Sequence, residues 1–430
     1  MTSRYRALLI AEAANPEWVS VPLVGWSLAN AIRSVADAHI VTQVRNKAAF
    51  ERAGLVEGRD FTAIDTEALM KPLWTIIGKL RGGAGKGWTT VTALQSLFYP
   101  LFESMVWRRF GKQIRAGEFD VVHRITPLSP TAPSLLAGRC ARAGVPFVVG
   151  PLNGGIPWPR AFTRERHQEK EWLSYVRNAY KAMPGIKRTW RRSAAIIAGS
   201  RHTASELPEG ARGKCIYIPE NAIDPARFAD YGQPDRYARL DLCFIGRLVP
   251  YKGPDVAIEA AQDLLRAGVA RLTIIGDGPM MADLKALAAR LGVADAVTFA
   301  GWVEHREVPE IARDKSVFLF PSVREFGGGA VIEAMALGLV PIIADYGGPA
   351  EIVTGETGFR LPIGSREIMR DRAAQVLAEM AAEQHDLAAM AARGRARIDA
   401  LYSWERKAAQ VVEVYDWVTG KRPDRPDFGF

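Results

Sequence analysis

The chain has 430 residues, more than a single hydrophobic core usually organises, so two domains are expected. Apolar residues make up 48% and charged residues 24%, which excludes a largely disordered chain, and no run reaches the roughly 18 apolar residues that a membrane-spanning helix needs. Cys140, Cys215 and Cys243 show no CxxC spacing and the six histidines do not cluster, so neither a disulfide framework nor a zinc site is indicated. The start, MTSRYRALLIAEA, is too short and too acidic afterwards for a signal peptide, so a cytoplasmic location is expected.

In the first half, strands are expected near 7–13, 38–43, 119–123, 146–150, 194–199 and 215–219, where short β-branched runs end in turn residues. Segments 61–115 and 156–192 carry Trp, Leu, Ile and basic residues without a strand signal and are expected to be helices and loops added around a sheet. Within the first, GGAGKGW (82–88) fails as a phosphate loop: Leu80 stands where the leading glycine should be, and Gly87 replaces the magnesium-binding Ser or Thr. A joint rich in Pro, Asp and Gly spans about 219–238.

From Asp241 the alternation becomes regular. Strands are expected at 241–246, 271–276, 297–301, 316–321 and 340–345, separated by helical patterns such as Val256, Ala260 and Leu264 between Pro254 and Gly268, and Met280, Leu284, Leu287 and Leu291 before Gly292. Continuous apolar strands alternating with helices predict a parallel sheet covered on both faces. A last helix, WERKAAQVVEVYDWV, precedes a polar tail. The domains are therefore expected at 1–222 and 223–404, with the helix and tail of 405–430 crossing back to the first.

The candidate chemistry lies at successive strand ends of the second half. Gly246-Arg247 closes the first of these strands and Lys252-Gly253 follows five residues on, placing two cations where open α/β sheets bind anions. Gly276-Asp277-Gly278 and Gly301-Trp302-Val303 close the next two. After the fourth, Glu325 and Glu333 flank Gly327, Gly328 and Gly329, a glycine turn opening a helix whose first amides would point at a phosphate. Each feature alone has a bland reading as a turn or a surface charge, and Trp302 as packing; the case rests on their order.

That ordered set, from PENAID through GRLVPYKGPDVAI, IIGDGP, FAGWV, PSVREFGGGAVIEAMALG and DYGGPAEIV, resembles the retaining glycosyltransferases of family 4. The resemblance implies an α/β fold of GT-B type, two facing Rossmann-like doubly wound domains with a cleft between them. It implies that Arg247 and Lys252 bind the donor diphosphate, that Glu333 bonds the ribose hydroxyls, and that Glu325 sits by the transferred sugar. Gly246, Gly276, Gly278, Trp302, Val303 and the three glycines 327–329 complete the donor side. His123, after FDVV, is counted with the catalytic candidates, the alternative being a core histidine. Asn153, Gly154 and Gly155 resemble the GP-x-GGG loop of a subset of the family, as acceptor-side or cleft residues, the alternative being a structural turn.

The expected reaction is transfer of a sugar from a UDP- or GDP-sugar to a lipid-linked, glycolipid or polysaccharide precursor, with no cofactor and no metal. The alternatives are a nucleotide-sugar epimerase or phosphorylase of the same architecture, and a non-catalytic nucleotide-sugar-binding subunit. Residues 160–192 hold ten Lys and Arg against three Glu, within a net charge of +9. A basic helix with Trp172, Val176 and Tyr180 on one face, closed by Pro184-Gly185, together with MKPLWTIIGKLR (70–81), makes an anionic membrane surface an expected partner. The plain alternative is a helix whose apolar stripe packs on the sheet. Nucleic acid is not expected, since no recognition motif accompanies the charge.

Overall fold

The computed structural model describes residues 4–66, 88–163, 183–228 and 234–430. The candidate membrane segments 70–81 and 164–182, and the loop 82–87, lie outside the described residues. Among the described residues, no helix is long and apolar enough to cross a membrane.

The chain forms two compact units, the first from residues 1–155, 170–220 and 404–430 and the second from 156–169 and 221–403. The C-terminal helix Trp404–Val418 thus groups with the first unit, whereas the stretch from Ile156, expected in the first, groups with the second.

The first unit holds a seven-stranded parallel sheet: β1 (Arg6–Ala11), β2 (Asp37–Gln43), β3 (Phe61–Ile64), β4 (Val121–Thr126), β5 (Phe147–Leu152), β6 (Ala195–Ala198) and β7 (Cys215–Tyr217), in the order 3-2-1-4-5-6-7. Strand β3 corrects the expectation of no strand between 61 and 115. Four residues at the sheet edge, FTAI, are too few to show a period in the sequence. Among the described residues, that region also contributes the helix Trp88–Arg115. One face of the sheet is covered by helices Val21–Val35 and Trp404–Val418, through Leu28, Ile32, Val411 and Tyr415.

Pro184 opens the helix Pro184–Arg192; its missing N–H costs nothing at a first helical position. Ile186 and Trp190 of that helix are buried in a cluster with Leu136 and Phe147, while Lys187, Arg188, Arg191 and Arg192 are exposed. For these residues of the basic stretch, the apolar stripe packs on the core.

The second unit holds β8 (Leu240–Ile245), β9 (Ala270–Ile275), β10 (Val297–Gly301), β11 (Val317–Phe320), β12 (Val340–Ala344) and β13 (Phe359–Leu361), all parallel in the order 10-9-8-11-12-13. Only β13, three residues long, lacked a sequence signal. Strands β11 and β12 are buried throughout, as helices on both faces require. The order reverses between β8 and β11, so the loops after these two strands flank the switch point at which open α/β sheets bind ligands.

Candidate active site

The loops after β8 and β11 carry the charged candidates, and the structure joins two of them directly. After Gly246 and the exposed Arg247, a short 3-10 turn Pro250–Lys252 ends at Gly253, whose φ of 69° suits a residue without Cβ. A Cβ there would stand 3.0 Å from Pro321, so the glycine lets the β8 loop lie against the β11 loop. Val323 N–H donates to the Tyr251 carbonyl at 2.9 Å and fixes that contact. Lys252 Nζ then meets Glu325 Oε1 at 2.7 Å, both side chains 18% exposed. Burial alone would lower the lysine's pKa, but the charge and hydrogen bond of Glu325 outweigh it and raise it, so Lys252 remains a cation. Ser322, fully buried, donates its Oγ to the same carboxylate oxygen at 3.2 Å.

Beyond Glu325, Gly328 adopts φ 61° as the residue preceding the helix Gly329–Ala336. A side chain there would be strained and would also collide with Ile352 Cδ1, 2.5 Å from an ideal Cβ. Val331 is the first residue of this helix whose N–H donates back, to the Gly328 carbonyl, so the amides of Gly329 and Ala330 precede the intrahelical ladder. Gly327 lies in the turn, where Gly348 packs so closely that a Cβ on it would stand 2.9 Å from the Gly327 carbonyl carbon. Glu333, the fifth helical residue, bonds His305 Nε2 through Oε1 at 2.8 Å. The hydrogen bond His305 makes to Glu333 raises the imidazole's pKa against the effect of burial. Neither Ser322 nor His305 was identified from the sequence; both are ordinary polar residues whose pairing appears only once the loops are folded.

The other donor-side candidates divide. Gly276 and Gly278 serve packing, because a Cβ would lie 2.0 Å from the Gly246 carbonyl oxygen and 2.5 Å from that of Leu248; they set the path of the Arg247 loop. Trp302 is 73% exposed, which corrects its reading as a packing residue and leaves a bare indole beside the half-buried Val303 at the end of β10.

In the first unit, His123 is corrected from a catalytic candidate to a core residue. It is fully buried, with Nε2 2.8 Å from the Gly150 carbonyl and Nδ1 2.8 Å from the Tyr415 hydroxyl. The Asn153, Gly154 and Gly155 candidates form a turn. Gly155 N–H donates to Asn153 Oδ1 at 2.8 Å, Gly154 N–H to Thr203 Oγ1 at 3.0 Å, and Asn153 N–H to the Leu128 carbonyl at 2.7 Å. Among the described residues, no three His, Cys, Asp or Glu side chains group as metal ligands would.

Residues 236–395 match the family described as glycosyl transferases group 1. The 2-deoxystreptamine glucosyltransferase of Streptomyces kanamyceticus is 31% identical over 278 residues, which are 59% of this chain and 70% of that enzyme. The chain belongs to the group 1 glycosyltransferases. A second relative, the GDP-mannose-dependent alpha-(1-6)-phosphatidylinositol monomannoside mannosyltransferase of Mycobacterium tuberculosis, is 33% identical over 225 residues. The match covers 47% of this chain and 56% of that relative, so the chain spans little more than half of its length. HepE of Anabaena, solved in complex with UDP, is 15% identical and superimposes with a TM-score of 0.64 over 95% of this chain and 98% of that one. That likeness shows the fold, two Rossmann-like sheets of the GT-B class. The family-4, retaining resemblance of the sequence agrees with this group 1 assignment.

Proposed function

We propose that this glycosyltransferase moves a sugar, with retention of anomeric configuration, from a UDP- or GDP-sugar to a lipid-linked, glycolipid or polysaccharide precursor. The observation that carries the reading is the Lys252–Glu325 pair at 2.7 Å, set on the loops that flank the switch point and followed directly by the helix beginning at Gly329. The donor classes come from the relatives: one is GDP-mannose-dependent and acts on a phosphatidylinositol mannoside, and a structural neighbour was solved with UDP.

In the reaction the bond between the anomeric carbon and the phosphate oxygen breaks, and the nucleoside diphosphate leaves with the electron pair. The acceptor hydroxyl forms the new bond on the face being vacated, and its proton passes to the departing diphosphate. Lys252, Arg247 and the amides of Gly329 and Ala330 stabilise the charge that develops on the phosphates. Glu325 lies where positive charge grows on the sugar, and Glu333 holds the ribose, with His305 fixing one of its oxygens. Because two side-chain cations neutralise the diphosphate, the reaction requires no divalent metal.

The experiment is a thermal-shift screen with UDP, GDP and ADP, with EDTA present throughout. One of the first two is expected to raise the melting temperature. A ligand at 100 times its dissociation constant stabilises by about 2.7 kcal/mol, well above detection. No response to any nucleoside diphosphate sinks the reading.

The acceptor assignment extends to location, as a peripheral protein on the cytoplasmic face of a membrane, reached through 160–192 and 70–81. Liposome flotation at low salt is expected to show binding to vesicles rich in anionic lipid and none to neutral ones. Equal recovery from both vesicle types ends the membrane proposal without touching the donor site.

A further inference from the structure

The Lys252–Glu325 pair is braced from outside its own two loops. Residues 156–163 follow directly on the Asn153–Gly155 turn, yet they group with the second unit. Three anchors hold this strap. Ile156 is buried and lies so close to Gly347 that an ideal Cβ on the glycine would be 2.7 Å from its Cδ1. Tyr346 Oη donates to the Pro157 carbonyl at 2.8 Å. Phe162 is buried in a small apolar cluster with Val323, Ala344 and Met369. Between the anchors, the Trp158 ring meets Tyr251 edge to face, with centroids 5.9 Å apart and planes at 87°. The Arg324 guanidinium carbon stands 4.8 Å from the Trp158 ring centroid and 5.2 Å from that of Phe326.

Tyr251 directly precedes Lys252, and Arg324 directly precedes Glu325. One indole therefore touches the chain neighbours of both members of the pair. Edge-to-face aromatic contact and a cation over an indole are both directional, so together they fix two backbones relative to one ring. Tyr251 also accepts the Val323 hydrogen bond that joins the β8 and β11 loops, which places the indole at the point where the loops meet.

We propose that Trp158 is a positioning residue for diphosphate recognition: it sets the separation of the Lys252 and Glu325 loops and so the place where the second phosphate of a nucleoside diphosphate is held. The inference rests on the donor-site reading above. A tryptophan that only tied down the strap would affect all nucleotides alike. One that positions Lys252 acts on the phosphate next to the leaving bond.

The test is calorimetric titration of whichever of UDP and GDP binds, and of the matching monophosphate, UMP or GMP. The proteins are the wild type, Trp158→Leu, Trp158→Phe, Arg324→Ala and Lys252→Ala. Trp158→Leu is expected to weaken diphosphate binding on the order of 10-fold, as small displacements of a positioning group do, and to leave monophosphate binding close to wild type. Trp158→Phe, which keeps an aromatic edge, should retain most of the diphosphate affinity, and Arg324→Ala should shift it in the same direction as Trp158→Leu. If Trp158→Leu does not fold, judged by circular dichroism, Arg324→Ala carries the same comparison. Unchanged diphosphate affinity, or equal loss of mono- and diphosphate, overturns the proposal. Lys252→Ala separates the two readings: if it loses diphosphate affinity while the Trp158 and Arg324 variants do not, the donor site stands and the role of Trp158 falls. A wild type that binds no nucleoside diphosphate overturns both.

Discussion

Lys252→Ala is expected to slow donor-dependent release of UDP or GDP by roughly 10²–10³-fold, the loss typical of removing one preorganised group that stabilises a leaving charge. The structure sharpens the expectation beyond the loss of a cation. Lys252 Nζ lies 2.7 Å from Glu325 Oε1 and Ser322 Oγ donates to the same oxygen at 3.2 Å, so removing the ammonium leaves a mostly enclosed carboxylate without its counter-ion at the proposed phosphate site. Repulsion then adds to the missing attraction. Two further variants separate these contributions. Adding Glu325→Gln to Lys252→Ala should recover part of the diphosphate affinity but little of the turnover, because the group proposed to sit beside the transferred sugar is then also neutral. Arg247→Ala should also lower the rate, but less than Lys252→Ala, since Arg247 is exposed and its charge is more strongly screened by solvent. Product-release assays on the three variants check this ordering. Equal rates for Lys252→Ala and the wild type would remove the leaving-group assignment.

The parts of the site that were legible in the sequence are those set by backbone requirements. Gly328 and Gly253 sit at positive φ before helices, and such positions announce themselves as glycine beside a helical pattern. Strands such as β8 and β12 were equally plain, because short runs such as residues 242–245 and Val340–Ala344, bounded by turn signals, are too short for a helix. What the sequence could not show is which side chains meet. Lys252 and Glu325 are 73 positions apart and read as two separate ligand contacts, whereas the fold pairs them with each other. Nothing in the residue pattern of 156–163 signals that this strap leaves one unit for the other; its proline-rich run gives no period, and its apolar residues find partners, Val323 and Met369, that lie far along the chain. Trp302 and Trp158 make the same point in opposite directions. Both are tryptophans at loop positions, yet one is bare and the other is clamped between Tyr251 and Arg324, a difference decided by tertiary contacts alone.

His123 provides the second large effect, on stability and not on turnover. The Gly150 carbonyl only accepts hydrogen bonds, so Nε2 carries the proton and Nδ1 accepts from the Tyr415 hydroxyl, which fixes the neutral tautomer. Burial, partly offset by the bond to Gly150, lowers the imidazole from its ordinary 6.5 to about 4. The unfolded chain therefore takes up this proton first as pH falls. The stabilisation is fully present above about pH 6.5, declines through the window between 6.5 and 4, and is gone below it, a total of about 3 kcal/mol. Urea denaturation of the wild type at pH 7, 5.5 and 4.5 is expected to show falling midpoints. His123→Gln should lie lower at pH 7, because it loses the bond to the Tyr415 hydroxyl or the Gly150 carbonyl, at a cost of about 1–3 kcal/mol for a buried group left unpaired. Its midpoint should then fall less steeply between pH 6.5 and 4.5, since it lacks the titrating ring. At neutral pH, turnover per folded molecule should stay near wild type, because the ring is sealed between β4, β5 and the helix Trp404–Val418 with both nitrogens engaged. A variant with wild-type stability at every pH and turnover reduced by orders of magnitude would return His123 to the catalytic set.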